Sequence, residues 1–117
     1  MTLIDQRITW KAVEERLARE SDPTLRRNLA TVLEHMHTEA VLDVDRLMAT
    51  VADDAHYHFY NGPAAGEFQG GAAVRRFYEM FGASGAEKLQ HDIDRLVVDR
   101  HCHVDTTRTR YSCIRWF

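Results

Sequence analysis

Histidines are the side chains of this sequence best suited to proton transfer near neutral pH. The chain has seven of them among 117 residues, and an unperturbed imidazole titrates near about 6.5, so it can act as an acid or a base. His35 lies in a helical pattern one turn before Glu39, and His91 lies in a strand-like segment. Both are candidates for acid–base chemistry, and a structural, hydrogen-bonded histidine is the alternative interpretation of each.

Six of the histidines form H-x-H pairs, which raises the question of a metal site. The pairs are His35/His37, His56/His58 and His101/His103. On a strand, both imidazoles of such a pair lie on one face, as a zinc site requires, but a third ligand must come from elsewhere. The pattern arises readily by chance in a histidine-rich chain, and no C-x-x-C or H-E-x-x-H motif accompanies it. The sequence therefore predicts no metal and no cofactor.

Composition and motif content exclude several classes of function. With a net charge of −3, the chain lacks the clustered positive charge of a nucleic-acid surface. No apolar stretch reaches the ~18 residues that indicate a membrane span, and the start of the chain lacks a signal-peptide pattern. No G-x-S-x-G or phosphate-loop motif is present, so a serine hydrolase or a phosphate-loop enzyme has no support. We predict a cytoplasmic protein without nucleic-acid or membrane partners.

The two cysteines, Cys102 and Cys113, are consistent with the predicted cytoplasmic location. In a reducing cytosol free thiols are the default, because cytosolic disulfides are rare. A disulfide between Cys102 and Cys113 is the alternative.

The elements that position these residues follow from hydrophobic spacing and from turn residues. Asp22-Pro23 marks a helix start, because Asp can cap the free amides and Pro at the first helical position loses no needed hydrogen bond. Helices are predicted over about 9–20, 23–40, 43–51 and 71–82. Strands are predicted near 55–60, 66–69, 88–99 and 102–112, with a turn at 61–63.

Apolar stripes on these elements predict the inner side of the fold. The residues predicted to be buried together against the sheet are Val74, Phe77, Phe81, Leu29, Leu33, Met36 and Leu47. Side chains alternate along the strand at 55–60, so Tyr57 and Phe59 share one face while His56 and His58 lie on the other.

The order of elements and three local segments resemble a known family. The segments at 42–47 (LDVDRL), 52–55 (ADDA) and 68–78 (FQGGAAVRRFY) are similar to passages of SnoaL-like proteins and ketosteroid isomerases in the NTF2-like superfamily. The resemblance covers about 25–99. It implies an α+β fold in one domain, 1–117, in which N-terminal helices close a curved, mainly antiparallel sheet into a cone around an apolar pocket.

The resemblance also implies a function and a site. It indicates a small-molecule pocket protein that acts by acid–base isomerisation, dehydration or cyclisation on a small hydrophobic ligand. The implied pocket residues are Tyr57, Phe59, Phe77 and Phe81, and the implied catalytic residues are His91, on the strand that follows the fourth helix, and His35 at the pocket edge. Phe59 occupies the position of the catalytic aspartate of ketosteroid isomerases and cannot accept a proton, so ketosteroid isomerase activity is not expected. The alternatives are a non-catalytic ligand-binding or dimerisation domain of the same fold, or an inactive, truncated family member.

The last residues depart from the family pattern. From residue 100 onward there are four arginines and a single acid, Asp105, and the resemblance fades near His101. We expect a chain that lacks the last family strands, as a natural short form or through a frameshift. An unpaired sheet edge favours association, so we predict a homodimer or an aggregation-prone monomer, with Trp116 and Phe117 adding apolar surface to that edge. His56 and His58, on the outer face of the sheet, are expected at an interface or on a solvated face.

Overall fold

A computed structural model describes residues 5–60, 65–83 and 89–111 of the chain. These residues form α1 (Arg7–Arg19), α2 (Pro23–Val41), α3 (Val44–Met48), β1 (His56–Phe59), β2 (Gly66–Gln69), α4 (Gly71–Ala83), β3 (Leu89–Val98) and β4 (His103–Tyr111). The predicted α+β class is confirmed, and every predicted element is present with bounds that differ by at most three residues. The predicted turn at 61–63, Cys113, and the tail residues Trp116 and Phe117 lie outside the described residues.

Helix capping explains where α2 begins and ends. The carboxylate of Asp22 accepts hydrogen bonds from the backbone N–H groups of Thr24 and Leu25, at 2.8 and 3.2 Å, and Pro23 occupies the first turn. At its far end the helix terminates on Leu42, whose φ of 53° is left-handed. The Leu42 side chain occupies the position that a Cβ at Gly82 would need, so a glycine in α4 allows the α2 end to approach closely.

The strands form two antiparallel pairs. β1 pairs with β2, with Tyr57 opposite Phe68 and His58 opposite Glu67, and β3 pairs with β4. Among the described residues the two pairs are separate sheets, rather than the single curved ladder that we expected. β3 also carries a bulge between Ile93 and Arg95, which a regular strand prediction does not include.

The helices divide between the two strand pairs. α1 packs against both α2 and β3, whereas α4 packs against β2 and α3, and α3 packs against α2. α2 and α3 therefore connect the half that carries β3–β4 with the half that carries β1–β2. No helix in the described ranges combines the length and the apolar character that crossing a membrane requires.

The apolar core lies mainly between α3, α4 and the β1–β2 pair. Its buried residues are Leu47, Val74, Phe77 and Tyr78, and Phe81 packs against them as predicted. The prediction of one shared core is wrong for Leu29, which is fully buried but is not part of this cluster. Leu33 and Met36 are half-buried. The reason is that α2 packs on two partners, α1 and α3, so its apolar stripe is divided between them.

Candidate functional site

Six aromatic side chains from β1, β2 and α4 meet on the inner side of the β1–β2 pair and form what we call the ring cluster. Its members are Tyr57, Phe59, Phe68, Phe77, Tyr78 and Phe81. Phe77 lies at its centre, with ring centroids 4.5 Å from Phe59, 5.1 Å from Phe68 and 5.0 Å from Tyr78. Strand alternation and the helical i, i+3, i+4 spacing of α4 bring these rings together.

The ring cluster has a packed centre and a more open edge. Phe77 is only 6% exposed, so it is a core residue more than a pocket wall. Tyr57, Phe59 and Phe81 are half-buried, and these three side chains could also contact a ligand.

A row of hydrogen-bonded side chains borders the ring cluster, and we call it the polar chain. His35 Nδ1 lies 2.7 Å from Thr50 Oγ1, and His35 Nε2 lies 2.9 Å from Tyr78 Oη. Tyr78 Oη in turn lies 3.3 Å from Tyr57 Oη. The polar chain thus runs from α2 through α4 to β1, and its longest link is the one between the two tyrosines.

One fixed donor sets the direction of the hydrogen bonds in the polar chain. The Thr50 hydroxyl donates its only hydrogen to the Leu47 carbonyl at 2.6 Å, so its oxygen must accept from His35 Nδ1–H. A neutral His35 then has a bare Nε2 that accepts from the Tyr78 hydroxyl. Tyr78 Oη is left to accept from Tyr57, so each polar group has a partner.

Burial and a nearby carboxylate keep the two tyrosines protonated. Burial raises the pKa of Tyr78 far above its usual range, and the negative charge of Glu39 acts in the same direction. Burial also raises the pKa of Tyr57, and its hydrogen bond with Tyr78 partly opposes this. Both tyrosines are therefore hydrogen-bond donors at neutral pH. Glu39 Oε2 lies 3.6 Å from His35 Nε2, where it would stabilise an imidazolium.

The structure brings together five of the six predicted site residues. His35 borders the ring cluster, which contains Tyr57, Phe59, Phe77 and Phe81. His91 lies on β3, in the other strand pair, and its backbone N–H donates to Thr9 Oγ1 of α1 at 3.0 Å. The catalytic role of His91 stays a prediction.

Tyr78 and Thr50 are parts of the site that the sequence pattern does not indicate. Tyr78 lies at i+4 from Val74 on the apolar side of α4, and it is 43 residues from His35. The available signal was chemical, because a tyrosine on a buried stripe usually needs a hydrogen-bond partner for its hydroxyl. No spacing rule identifies that partner.

A groove of about 340 Å³ lies between α2 and the β3–β4 turn, apart from the ring cluster. It is lined by Asn28, Val32, Val98, Arg100, His101, Cys102 and His103. Arg100 is held there by Asp22, at 2.9 Å, and the Cys102 thiol is free and exposed. None of the predicted site residues lines this groove.

Comparison with known protein families gives a match over most of the chain. A family model described as a SnoaL-like domain matches residues 32–115, which is more than two thirds of the chain and contains the whole polar chain. No curated protein and no solved structure matches the sequence.

Proposed function

The chain belongs to the SnoaL-like domain family of the NTF2-like superfamily, and from this premise we propose that it binds a small hydrophobic molecule and acts on it by acid–base chemistry. The reactions that fit are isomerisation, dehydration or ring closure next to a carbonyl group. One observation supports the proposal above the others: a continuous polar chain borders an apolar ring cluster. Rings provide contact area for the ligand, and a hydrogen-bonded row of hydroxyls and imidazole moves a proton without water.

Tyr57 is the member of the polar chain assigned to the ligand. Its side chain is half-buried at the edge of the ring cluster, and its link to Tyr78 is long, at 3.3 Å, for a hydroxyl–hydroxyl bond. An oxygen of the ligand that develops negative charge can therefore compete for the Tyr57 hydrogen. A protonated tyrosine aimed at such an oxygen stabilises it as it forms.

His35 is assigned as the source of the proton that the ligand oxygen receives through Tyr78 and Tyr57, while the α-hydrogen of the ligand passes to a base from the solvent. When Tyr57 donates to the ligand, Tyr78 can donate to Tyr57 only if His35 Nε2–H supplies a hydrogen to Tyr78, which requires an imidazolium. Glu39 at 3.6 Å stabilises that cation, and Thr50 holds the ring in place through Nδ1. Proton uptake at His35 thus reverses the direction of the hydrogen bonds, so that each group of the polar chain donates to the next one on the side of the ligand. His91 is kept as the predicted second acid–base group.

The proposal is tested with 2-tetralone, a bicyclic ketone whose α-hydrogens exchange with deuterium when a base and an oxyanion donor act together. NMR would follow the exchange in D2O with and without the protein. We expect acceleration by the wild type and a loss of about 100-fold or more in Tyr57→Phe and His35→Gln, the scale of a lost oxyanion donor or general acid. His37→Gln, a change two residues away on the same helix, is the matched control and should keep the acceleration. No acceleration by the wild type, or equal losses in His35→Gln and His37→Gln, would refute the acid–base assignment.

A second candidate is a non-catalytic ligand-binding domain. It is favoured by the observation that both ring nitrogens of His35 already have partners within the protein and that Tyr78 is buried. In that case 2-tetralone should shift the resonances of Tyr57 and Phe59 on binding, while the deuterium exchange stays at its uncatalysed rate. The same samples therefore separate the two candidates.

A further inference from the structure

The outer face of the β1–β2 pair carries a cluster that is separate from the polar chain. His58 is directly opposite Glu67 in the strand pairing, and His56, two residues earlier, lies on the same face. All three side chains are exposed. Tyr57, between the two histidines, points to the ring cluster on the other face, so this cluster does not overlap with the candidate site described above.

The spacing of these three side chains matches what a tetrahedral metal ion needs. Glu67 Oε2 lies 3.3 Å from His56 Nε2, and Glu67 Oε1 lies 3.3 Å from His58 Nδ1. One possible ligand atom from each residue lies within 4.8 Å of the other two. Zinc–nitrogen and zinc–oxygen bonds of about 2.1 Å at tetrahedral angles separate neighbouring ligand atoms by about 3.4 Å. Each imidazole thus has a Glu67 oxygen at about this separation, Oε2 for His56 and Oε1 for His58.

Only a small rotation of the three side chains is needed to coordinate a metal ion, because the strand pairing already holds their Cα atoms in place. The antiparallel pairing sets the register of His58 and Glu67, and the rings of His56 and His58 lie with centroids 4.1 Å apart. Their exposed side chains can turn without disturbing the core. A modest rotation of the Glu67 carboxylate would bring one of its oxygens and both imidazole nitrogens to a common centre.

We propose that His56, His58 and Glu67 form a binding site for a divalent transition-metal ion, with Zn²⁺ as the representative ion. Two imidazoles and one carboxylate favour zinc, copper or nickel over magnesium and calcium, which take oxygen ligands. Three protein ligands leave a fourth position for water or for a group from a bound molecule. This site goes beyond the proposed acid–base function, because its ligands lie on the opposite face of the strand pair.

The test is isothermal titration of Zn²⁺ into the full chain, with His56→Ala, His58→Ala and Glu67→Gln variants. His37→Ala is the control, since His37 is a half-buried histidine facing a carboxylate, Glu14, at 3.8 Å, and within the described residues it belongs to no group of three possible metal ligands. We expect the wild type to bind one equivalent of Zn²⁺ at this site. In each of the three variants this equivalent should be lost, or its affinity should fall by at least about tenfold. His37→Ala should keep it, and an excess of Mg²⁺ should not displace it.

Two results would overturn the proposal: no Zn²⁺ binding by the wild type, or the same number of equivalents and the same affinity in all three variants. The altered side chains are exposed, and circular dichroism checks that each variant is folded. Glu67→Gln preserves the size of the side chain, so a loss in this variant reports the ligand set and not the fold. A chelator should leave any 2-tetralone exchange unchanged, which keeps failure of this site distinguishable from failure of the proposed function.

Discussion

Removal of the Tyr78 hydroxyl is the perturbation whose effect follows most closely from the structure. Tyr78→Phe deletes two hydrogen bonds, one to His35 and one to Tyr57, and keeps the ring in the core. Each hydrogen bond contributes about 0.5–1.5 kcal/mol net. His35 is 23% exposed and Tyr57 is half-buried, so water can reach both former partners and limits the loss. We expect the free energy of unfolding to fall by about 1.5 kcal/mol and Tm to fall by about 5 °C.

Urea unfolding followed by circular dichroism would measure this change, with an unaltered m-value as the sign of an unaltered fold. Tyr60→Phe is the matched control, because Tyr60 is 85% exposed and the same substitution there should change stability by less than about 0.5 kcal/mol. A double-mutant cycle with Tyr57→Phe should give a smaller coupling than a cycle with His35→Gln, because the tyrosine–tyrosine link is longer. Equal stability of Tyr78→Phe and the wild type would refute the polar chain, and a loss above about 3 kcal/mol would indicate a packing role instead.

Four further predictions concern stability and assembly. Leu47→Ala, at a fully buried position, should cost about 2–5 kcal/mol in denaturant unfolding, whereas the volume-conserving Met48→Leu should cost less than about 1.5 kcal/mol; equal effects would place the core elsewhere. Hydrogen bonds from the Leu25 backbone and then the Arg100 side chain hold the pKa of Asp22 below its usual range, so its stabilising contribution is present above about pH 3.9 and is lost as pH falls below it. Asp22→Asn should therefore show a flatter Tm between about pH 5 and pH 3, and a wild-type slope in that variant would contradict the assignment. Burial raises the pKa of Tyr78, so its contribution is intact below about pH 10 and is lost as pH rises beyond that value; Tyr78→Phe should lose less stability than the wild type between about pH 9 and pH 11. Light scattering should give twice the 13.5 kDa chain mass if the predicted homodimer forms, and a monodisperse monomer at high concentration would contradict it.

Most of the fold was predictable because its signals are local. Asp22-Pro23 caps α2 as expected, and the alternation in β1 places Tyr57 toward the core and His58 outside. The division into two strand pairs was not predictable, because which strands pair depends on contacts between distant segments. The separate burial of Leu29 has the same origin, since it depends on how α2 is shared between α1 and α3.

The candidate site was predictable in its residue types and only partly in its connections. His35 and Tyr57 were recognised from their chemistry and their place in the resemblance, whereas Tyr78 joins them through hydrogen bonds that no spacing rule contains. The outer cluster gives a parallel case. His56 and His58 form a visible pair in the sequence, but Glu67 becomes the third group only through the register of β1 and β2.

The most direct test of the polar chain is the protonation pattern of the His35 ring, read by long-range ¹H–¹⁵N correlation NMR at mildly alkaline pH, where imidazoles are ordinarily neutral. The hydrogen-bond directions predict that Nδ1 carries the hydrogen and donates to Thr50, and that Nε2 accepts from Tyr78. Addition of 2-tetralone should then shift the Nε2 resonance, because the ligand draws the Tyr57 hydrogen outward. A hydrogen on Nε2 in the free protein, or an unchanged His35 spectrum with the ketone bound, would contradict the proposed role of the polar chain.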